Sequence, residues 1–221
     1  MKKCVLKLTT DSEKYIKPSQ LRGYFAKKFP DIDLFHQYNE NGENIYRYPR
    51  IQYKNINNNI IIFALNEGID PLKKIFLEVD VLNVENNKIK IIEKNIKVKK
   101  DMQLEVLKNY EKYKFITPWV ALNQKNYKKY KNTDNYSDKK NLLERIMIGN
   151  ILSVCKSFDI WIEEKIKINI EKFKTVKVNS LHFENLMGFY VDFKTNFKLF
   201  DLLSLGKQVS KGFGVVKKRS S

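Results

Sequence analysis

Residues 204–216 read Ser-Leu-Gly-Lys-Gln-Val-Ser-Lys-Gly-Phe-Gly-Val-Val, and they hold three of the eight glycines of the chain. Glycine lets a backbone approach a ligand closely, and successive N–H groups in a tight turn form an anion-binding hollow. Lys207 and Lys211 stand between these glycines and suit a polyanion. Because Phe213 and Val215 continue with the alternation of a strand, we predict an ordered phosphate-binding loop here instead of a frayed terminus.

The composition supports folded domains and a polyanionic partner. The chain has 221 residues, of which 43% are hydrophobic, enough for one large or two small domains. Lysine and arginine number 42 against 25 acidic residues, a net charge of +17, which favours a polyanion as the partner. Arg22, Arg47 and Arg50, three of only five arginines, fall within 29 residues of one another. This grouping predicts forked contacts with phosphate groups.

Several classes of protein and site find no support in the sequence. Cys4 and Cys155 stand in apolar surroundings without zinc-site or disulfide spacing, which indicates a reducing, cytoplasmic location. The N-terminal apolar stretch is too short for a signal peptide, and no run reaches the roughly eighteen apolar residues of a membrane helix. Neither Gly206-Lys207 nor Gly212-Phe213-Gly214 has the glycine spacing of a nucleotide-binding loop. We therefore expect no membrane contact, no metal and no cofactor.

The first 100 residues predict a βαββαβ unit. Pro18 suits the first turn of a helix and Pro30 ends it, whereas Pro49 in the next β-rich run indicates an edge or a bulge. The predicted elements are, in order, a strand at 2–9, a helix at 18–29, strands at 46–54 and 60–65, a helix at 68–78, and a hairpin of 79–84 and 88–98. This order is the ferredoxin-like unit.

The second half predicts a degraded copy of the same plan. After a connection at 99–116, we predict helices at 123–130 and 137–158, a strand pair at 160–178, a strand at 181–193, a short helix at 197–205 and a last strand at 214–217. No repeat is visible between the halves, so the second copy rests on element order alone. The predicted fold class is α+β, with tandem ferredoxin-like (RRM-like) βαββαβ domains at 1–100 and 116–221.

His36 is the best candidate for proton-transfer chemistry. It is one of two histidines and lies just after the first predicted helix. Histidine has a reference pKa of about 6.5, tyrosines offer hydroxyls and stacking faces for bases, and cations stabilise charge on a phosphate. The tyrosines and basic residues around it are Tyr24, Tyr38, Tyr46, Tyr48, Arg22, Lys27, Lys28, Arg47, Arg50 and Lys54. The alternative is an ordinary half-buried loop histidine. The other histidine, His182, lies in an alternating strand without clustered tyrosines, and we interpret it as structural.

An RNA-recognition domain is a rival interpretation of the glycine-rich stretch. Residues 211–216 begin like its RNP1 segment, but position five is Val215 and the aromatic residue expected at position eight is Lys218. In that domain a helix and a strand follow the segment, whereas only five residues follow Val216 here. A plain RNA-recognition domain is therefore excluded.

The glycine-rich stretch instead resembles the C-terminal signature of the CRISPR repeat-cleaving endoribonucleases of the RAMP superfamily. That signature is Gly-apolar-Gly, five residues including a Lys or Arg, and a second Gly-apolar-Gly. Here Ser204-Leu205-Gly206, the spacer 207–211 and Gly212-Phe213-Gly214 match five of the six framing positions, with Ser204 replacing the first glycine. The resemblance implies tandem ferredoxin-like domains over nearly the whole chain. Within the family, residues 46–54 also resemble the second strand of an archaeal-type member.

The resemblance implies metal-independent cutting of CRISPR repeat RNA. In the family the ribose 2′-OH attacks the adjacent phosphate, which leaves a 2′,3′-cyclic phosphate and a free 5′-OH. The family's catalytic histidine lies after the first helix, which implies His36 here, with Tyr24, Tyr46 or Tyr38 as a helper and Lys54 or Arg47 supplying charge. The expected RNA contacts are Arg22, Lys27, Lys28, Arg47, Arg50, Gly206, Lys207, Lys211, Gly212 and Gly214.

Two other functions stay open at this point. One is a non-catalytic RAMP subunit that holds guide RNA within a CRISPR effector complex, which needs the glycine loop but no histidine. The other is a general RNA- or DNA-binding structural protein, for which charge alone suffices. The sequence also leaves open whether the protein forms a homodimer.

Overall fold

A computed structural model describes the chain over residues 1–36, 47–180 and 183–219. The chain divides into two compact units, each built on one antiparallel sheet. The first unit contains Met1–Met102 together with Ser210–Gly212, and the second contains Gln103–Val209 together with Phe213–Ser221. Across the described residues, no helix has both the length and the apolar character that crossing a bilayer requires.

The first unit has the predicted order of elements. They are β1 (Lys3–Thr10), α1 (Pro18–Lys28), α2 (Asp33–His36), β2 (Ile51–Ile56), β3 (Asn59–Leu65), α3 (Ile69–Glu78), β4 (Val81–Val84) and β5 (Asn87–Lys99). The sheet order is β2-β3-β1-β5-β4, so β1 is central, with Leu6 opposite Ile62 on one side and Ile96 on the other. Side chains alternate along β1, and Cys4, Leu6 and Leu8 point into the core.

An aromatic stack joins the helices of the first unit to its sheet. The Phe35 ring lies 5.4 Å from that of Phe29 and 6.2 Å from that of Phe25, and the Phe25 ring lies 5.8 Å from that of Tyr53 on β2. All four side chains are buried. The four-residue helix α2, which the periodicity did not predict, is therefore held by Phe35 in the core.

The predicted strand at 46–54 is shorter at its start than the sequence suggested. Its described part, β2, begins at Ile51, after Pro49, because proline has no N–H for the strand ladder. Residue 46 lies outside the described residues.

The second unit contains four strands and two helices among its described residues. They are β6 (Val106–Phe115), α4 (Gln124–Lys131), α5 (Tyr136–Lys156), β7 (Ile168–Ser180), β8 (Phe183–Phe197) and β9 (Val216–Lys218), and the sheet order is β7-β8-β6-β9. Trp119 is fully buried, with its ring stacked 5.2 Å from Phe115. The side chain of Asn123 accepts a hydrogen bond from the Asn126 N–H and caps α4.

Three predicted elements of the second half differ from the structure. Residues 106–115, predicted as part of a connection, form β6, the strand that lies between β8 and β9. The region 160–178 contributes one strand, β7, instead of a pair. Residues 197–205 form no helix, because Leu202 has a φ of +72° and its N–H donates to Val216 O.

Both sheets share the ferredoxin-like strand order. In each, the first strand is central and the next two strands in the chain lie on one side of it; the other side holds the β4–β5 hairpin in the first sheet and β9 in the second. The second unit departs from the plan after β8, since residues 198–215 join β8 to β9 with a single 3₁₀ turn, Val209–Lys211, and form no α-helix. The predicted tandem ferredoxin-like fold is confirmed, with the glycine-rich stretch in the place of that helix.

Candidate functional site

His36 is the last residue of α2 and lies half-buried at the surface of the first unit. Its position follows from Phe35, whose packing in the core fixes the helix one residue earlier. The ring Nε2 lies 3.0 Å from Pro30 O, the carbonyl just beyond the end of α1. Because a carbonyl oxygen only accepts hydrogen bonds, Nε2 carries the proton, and Nδ1 carries the lone pair of the neutral ring.

Arg22 connects α1 to His36. One guanidinium nitrogen, Nη2, donates to the backbone carbonyl of His36 over 2.7 Å. Charge-assisted bonds of this kind are stronger than neutral ones, so Arg22 helps to fix the end of α2. The carbonyl does not cancel the positive charge, which therefore stays beside the imidazole.

Lys211 brings a second cation to Arg22 within the first unit. Burial lowers the pKa of the Lys211 ammonium, and the nearby Arg22 guanidinium lowers it further. The neighbouring Gly212 explains why the segment lies so close: an added Cβ would stand 2.6 Å from Pro18 Cγ and 3.2 Å from Tyr53 O, at a φ of +88°. We call His36, Arg22 and Lys211 the basic cluster.

The other two arginines of the predicted phosphate-binding group are paired with carboxylates. Arg47 Nη2 lies 2.8 Å from Asp33 Oδ2, and Arg50 Nε is paired with Glu67. A paired carboxylate offsets the charge that a phosphate would otherwise use. Among the three, Arg22 is the one whose described partner is a neutral carbonyl.

Tyr24, one of the predicted helpers of His36, points away from it. The hydroxyl of Tyr24 donates to Val81 O over 2.7 Å, and burial raises its pKa. Tyr24 also lies two positions from Arg22, about 200° around α1, so it projects from the opposite face to the arginine that contacts His36. The structure therefore does not support Tyr24 as the helper.

Lys54 is also not placed as predicted, because its side chain has no exposed surface. Its ammonium donates to Gln52 Oε1 over 2.8 Å and lies 5.1 Å from the centre of the Phe63 ring. Burial lowers its pKa well below the ordinary value for lysine. A fully buried ammonium does not contact an RNA phosphate, so this position corrects the predicted role.

The remaining predicted residues of the first half divide into two groups. Lys27 and Lys28 are exposed in the last turn of α1, with Lys28 Nζ 5.8 Å from the Phe29 ring centre, and they stay candidate RNA contacts. Tyr38 and Tyr46 lie outside the described residues, as does His182 of the second half.

The glycine-rich stretch is tightly packed within the second unit at Gly206 and Gly214. A Cβ added at Gly206 would stand 2.7 Å from Trp119 Nε1, and one at Gly214 would stand 2.0 Å from Leu205 O. Both glycines also have positive φ, +92° and +66°. The backbone here therefore requires glycine for packing, whatever ligand is bound.

The predicted hollow of bare amides is only partly available. The N–H of Lys207 donates to Val120 O, that of Gly214 to Pro118 O and that of Leu205 to Gly214 O, each over 2.8–2.9 Å. The next two amides, those of Val215 and Val216, donate to Thr117 Oγ1 and Leu203 O. These five N–H groups are satisfied within the protein, which corrects the idea that they face a ligand. The exposed Lys207 side chain stays a candidate RNA contact.

Two crystal structures of similar proteins match this chain along nearly its whole length. A crystal structure of Cas6b is 36% identical, covers 99% of this chain and 100% of its own, and has a TM-score of 0.83. A crystal structure of the CRISPR RNA processing endoribonuclease Cas6b is 32% identical, with the same coverage and a TM-score of 0.71. An uncharacterised protein of Methanocaldococcus jannaschii is 41% identical over 145 residues, which is 65% of this chain and 95% of that protein.

Family descriptions match both units. Residues 1–102 match the Cas6b N-terminal domain, and residues 105–219 match the Cas6b C-terminal domain. The resemblance based on the glycine-rich signature is thereby confirmed. The chain belongs to the Cas6b family of CRISPR RNA-processing endoribonucleases.

Proposed function

We propose that this protein cleaves CRISPR repeat RNA without a metal ion, by attack of the ribose 2′-OH on the adjacent phosphate. The products are a 2′,3′-cyclic phosphate and a free 5′-OH, which separate mature guide RNAs from their precursor. The observation that carries the proposal is the basic cluster of the first unit, in which Arg22 donates to the His36 carbonyl and Lys211 lies near enough to Arg22 for the charge of Arg22 to lower its pKa. Membership of the Cas6b family supports CRISPR RNA as the substrate.

His36 is the proton carrier in this proposal. The imidazole either removes the proton of the 2′-OH or, in its charged form, donates one to the leaving 5′-oxygen. The 2′-oxygen forms a bond to phosphorus, and the bond from phosphorus to the 5′-oxygen breaks. General acid–base help of this kind contributes about 10²–10⁴-fold to the rate.

Arg22 and Lys211 supply the charge in the proposal. The phosphorane carries more negative charge than the bound diester, so fixed cations beside it stabilise the transition state more than the substrate. Loss of one such electrostatic contact typically costs about 3–4 kcal/mol. These two residues replace Lys54, which is buried, as the proposed source of charge.

The experiment is single-turnover cleavage of end-labelled repeat RNA in EDTA. We expect His36→Ala to cut about 10²–10⁴-fold more slowly than wild type, while binding an uncleavable 2′-deoxy repeat equally well. His182→Ala, which changes the other histidine of the chain, is the matched control and should cut at the wild-type rate. Cutting by His36→Ala at wild-type speed in EDTA would refute the assignment.

The same experiment separates the two remaining functions. If the wild-type protein binds the repeat tightly but leaves it intact, it acts as a non-catalytic RAMP subunit that holds guide RNA. If it binds any RNA or DNA of the same length equally and cuts none, charge alone explains its binding. Assembly as a homodimer is a further expectation, which light scattering of the purified protein checks. Assembly within a CRISPR effector complex is another, which co-purification with other subunits of that complex checks.

A further inference from the structure

The second unit has an open groove of about 790 Å³. It is lined by a stripe of α5, by residues 165–168, which lead into β7, and by Lys129 of α4 and Tyr110 of β6. The α5 stripe includes Asn141, Glu144 and Arg145, whose spacing places them on one side of the helix. All of the lining residues belong to the second unit, and none is a member of the basic cluster.

Positive charge dominates this groove. Lys129, Arg145, Lys165 and Lys167 line it, and all four side chains are exposed. Within the part of the chain that the structure describes, none of the four side chains forms an ion pair. Four such cations in one groove favour a ligand with several negative charges.

The two carboxylates of the groove weaken this charge only in part. Glu144 is committed to the fold, because its Oε1 accepts a hydrogen bond from Ile170 N over 2.8 Å and lies 3.8 Å from Lys140 Nζ. Asp138, near the start of α5, is the other carboxylate. Four cations therefore face two carboxylates, one of them already hydrogen-bonded.

Buried polar side chains hold residues 165–167, which precede β7, in place. Asn196 Oδ1 accepts from Lys167 N over 2.7 Å, and its Nδ2 donates to Lys165 O over 3.1 Å. The hydroxyl of Thr195 donates to Lys167 O over 2.9 Å. Because both ends of this short segment are fixed, its two lysine side chains project from an ordered backbone, which reduces the ordering cost of binding.

Tyr110 gives the groove an aromatic face. It lies where the pairing of β6 with β8 shifts register between Val106 and Glu111, and half of its surface is exposed. Irregularities of this kind redirect a side chain from the sheet. Exposed aromatic rings beside basic side chains are the usual means of holding unpaired bases, since every base has a face that stacks.

We propose that this groove binds a single-stranded segment of the precursor RNA, with phosphates on Arg145, Lys165 and Lys167 and a base stacked on Tyr110. The segment is a different one from that cut at the basic cluster. The proposal rests on the proposed function in taking precursor RNA as the ligand. It assigns the groove to affinity and leaves bond cleavage to the first unit.

The first test compares two triple variants with equal charge loss. The groove variant, Arg145→Gln with Lys165→Gln and Lys167→Gln, removes three of the four cations that line the groove. The control variant, Lys125→Gln with Lys128→Gln and Lys131→Gln, removes three exposed cations of α4 that do not line it. Binding of an uncleavable 2′-deoxy precursor is measured by fluorescence anisotropy over a range of salt. We expect the groove variant to lose on the order of tenfold in affinity and about 2 in salt slope. Equal losses in both variants overturn the proposal, because the contribution would then be general charge.

The second test uses the length of the RNA. Precursors are shortened stepwise from each end. At the step that removes the segment bound in the groove, the affinity of the wild-type protein should fall, whereas that of the groove variant should stay unchanged. At saturating protein, the groove variant should cut at the wild-type rate. An affinity difference that persists for the shortest cleavable RNA overturns the proposal.

A matched pair of tyrosine variants tests the stacking. Tyr110→Leu should weaken binding several-fold, whereas Tyr127→Leu, which changes an exposed tyrosine of α4 outside the groove, should not. These binding measurements keep their meaning if His36 proves dispensable, since none of them requires cleavage. Wild-type binding by Tyr110→Leu removes the base contact from the proposal.

Discussion

At the scale of single residues, the partners of the three grouped arginines decide which of them keeps its charge for RNA. Arg47 and Arg50 form ion pairs with the carboxylates of Asp33 and Glu67, whereas Arg22 donates a hydrogen bond to the His36 carbonyl. The sequence predicts the group, but it does not predict this division. The carboxylate partners lie 14 and 17 residues away in the chain, and their pairing depends on the tertiary fold.

Lys211 should be costly for stability and useful for binding. Its folded-state pKa is lowered by burial and by Arg22, so the charged ammonium destabilises the native state. This penalty is fully present below the folded pKa and disappears above the ordinary value of 10.5. We expect Lys211→Met to be more stable than wild type at neutral pH, with the difference closing as the pH rises through 10.5. Urea unfolding at several pH values measures it.

RNA affinity should move in the opposite direction in the same variant. Lys211→Met should bind repeat RNA more weakly, because a cation of the basic cluster is lost. Lys207→Met is the control for the gain in stability, since that side chain is exposed and its removal relieves no burial. A Lys211→Met protein that gains stability and keeps full RNA affinity would show that the residue does not serve RNA binding.

At the scale of elements, the sequence predicted the bounds of a strand or helix well where one hydrophobic period runs through the whole segment. The strand β1 and the helix α1 lie within a residue or so of their predicted bounds, because alternation and the flanking prolines mark them. The strand β6 was missed, since its pairing shifts register between Val106 and Glu111 and regular alternation is limited to its second half. At 197–205 the apolar spacing suggested a helix, but hydrogen bonds of this segment to 214–216 determine its backbone.

The glycine signature has a structural reason at three of its positions. Gly206, Gly212 and Gly214 all have positive φ and close neighbours. Ser204, the one departure from the signature, forms an antiparallel bridge with Val215, and an extended backbone accepts a side chain. A serine is therefore compatible with the fold at that position.

Two glycine-to-alanine changes in the first unit should have opposite effects. Gly212→Ala places a methyl group 2.6 Å from Pro18 Cγ at a φ of +88°, so we expect a loss of about 1–3 kcal/mol in the free energy of unfolding. Gly23→Ala lies within α1, where an added Cβ meets nothing within 4 Å, so it should gain about 0.5–1 kcal/mol. Urea unfolding of both variants measures the difference. Equal stabilities would mean that the 210–212 segment does not pack on α1 as described.

At the scale of the whole molecule, the two ferredoxin-like units differ in the segment that leads to their last strands. The first unit keeps α3 between β3 and the β4–β5 hairpin, whereas the second joins β8 to β9 through the glycine-rich stretch. Element order predicted the tandem fold, but it did not show that Ser210–Gly212 belong to the first unit. That assignment depends on contacts between residues far apart in sequence, such as Gly212 with Pro18, and it brings Lys211 to Arg22.

A double-mutant cycle should show that cleavage and groove binding are separate contributions. Arg22→Lys keeps the charge but loses the guanidinium hydrogen bond to the His36 carbonyl, so we expect slower cutting at saturating protein with little change in RNA affinity. The groove variant of Arg145, Lys165 and Lys167 should change affinity and leave the saturated rate intact. Because the two sets share no described hydrogen-bond partner, their effects on kcat/KM should multiply, with a coupling below about 0.5 kcal/mol. A larger coupling, measured by single-turnover kinetics on full-length precursor, would mean that RNA in the groove also positions the phosphate at His36.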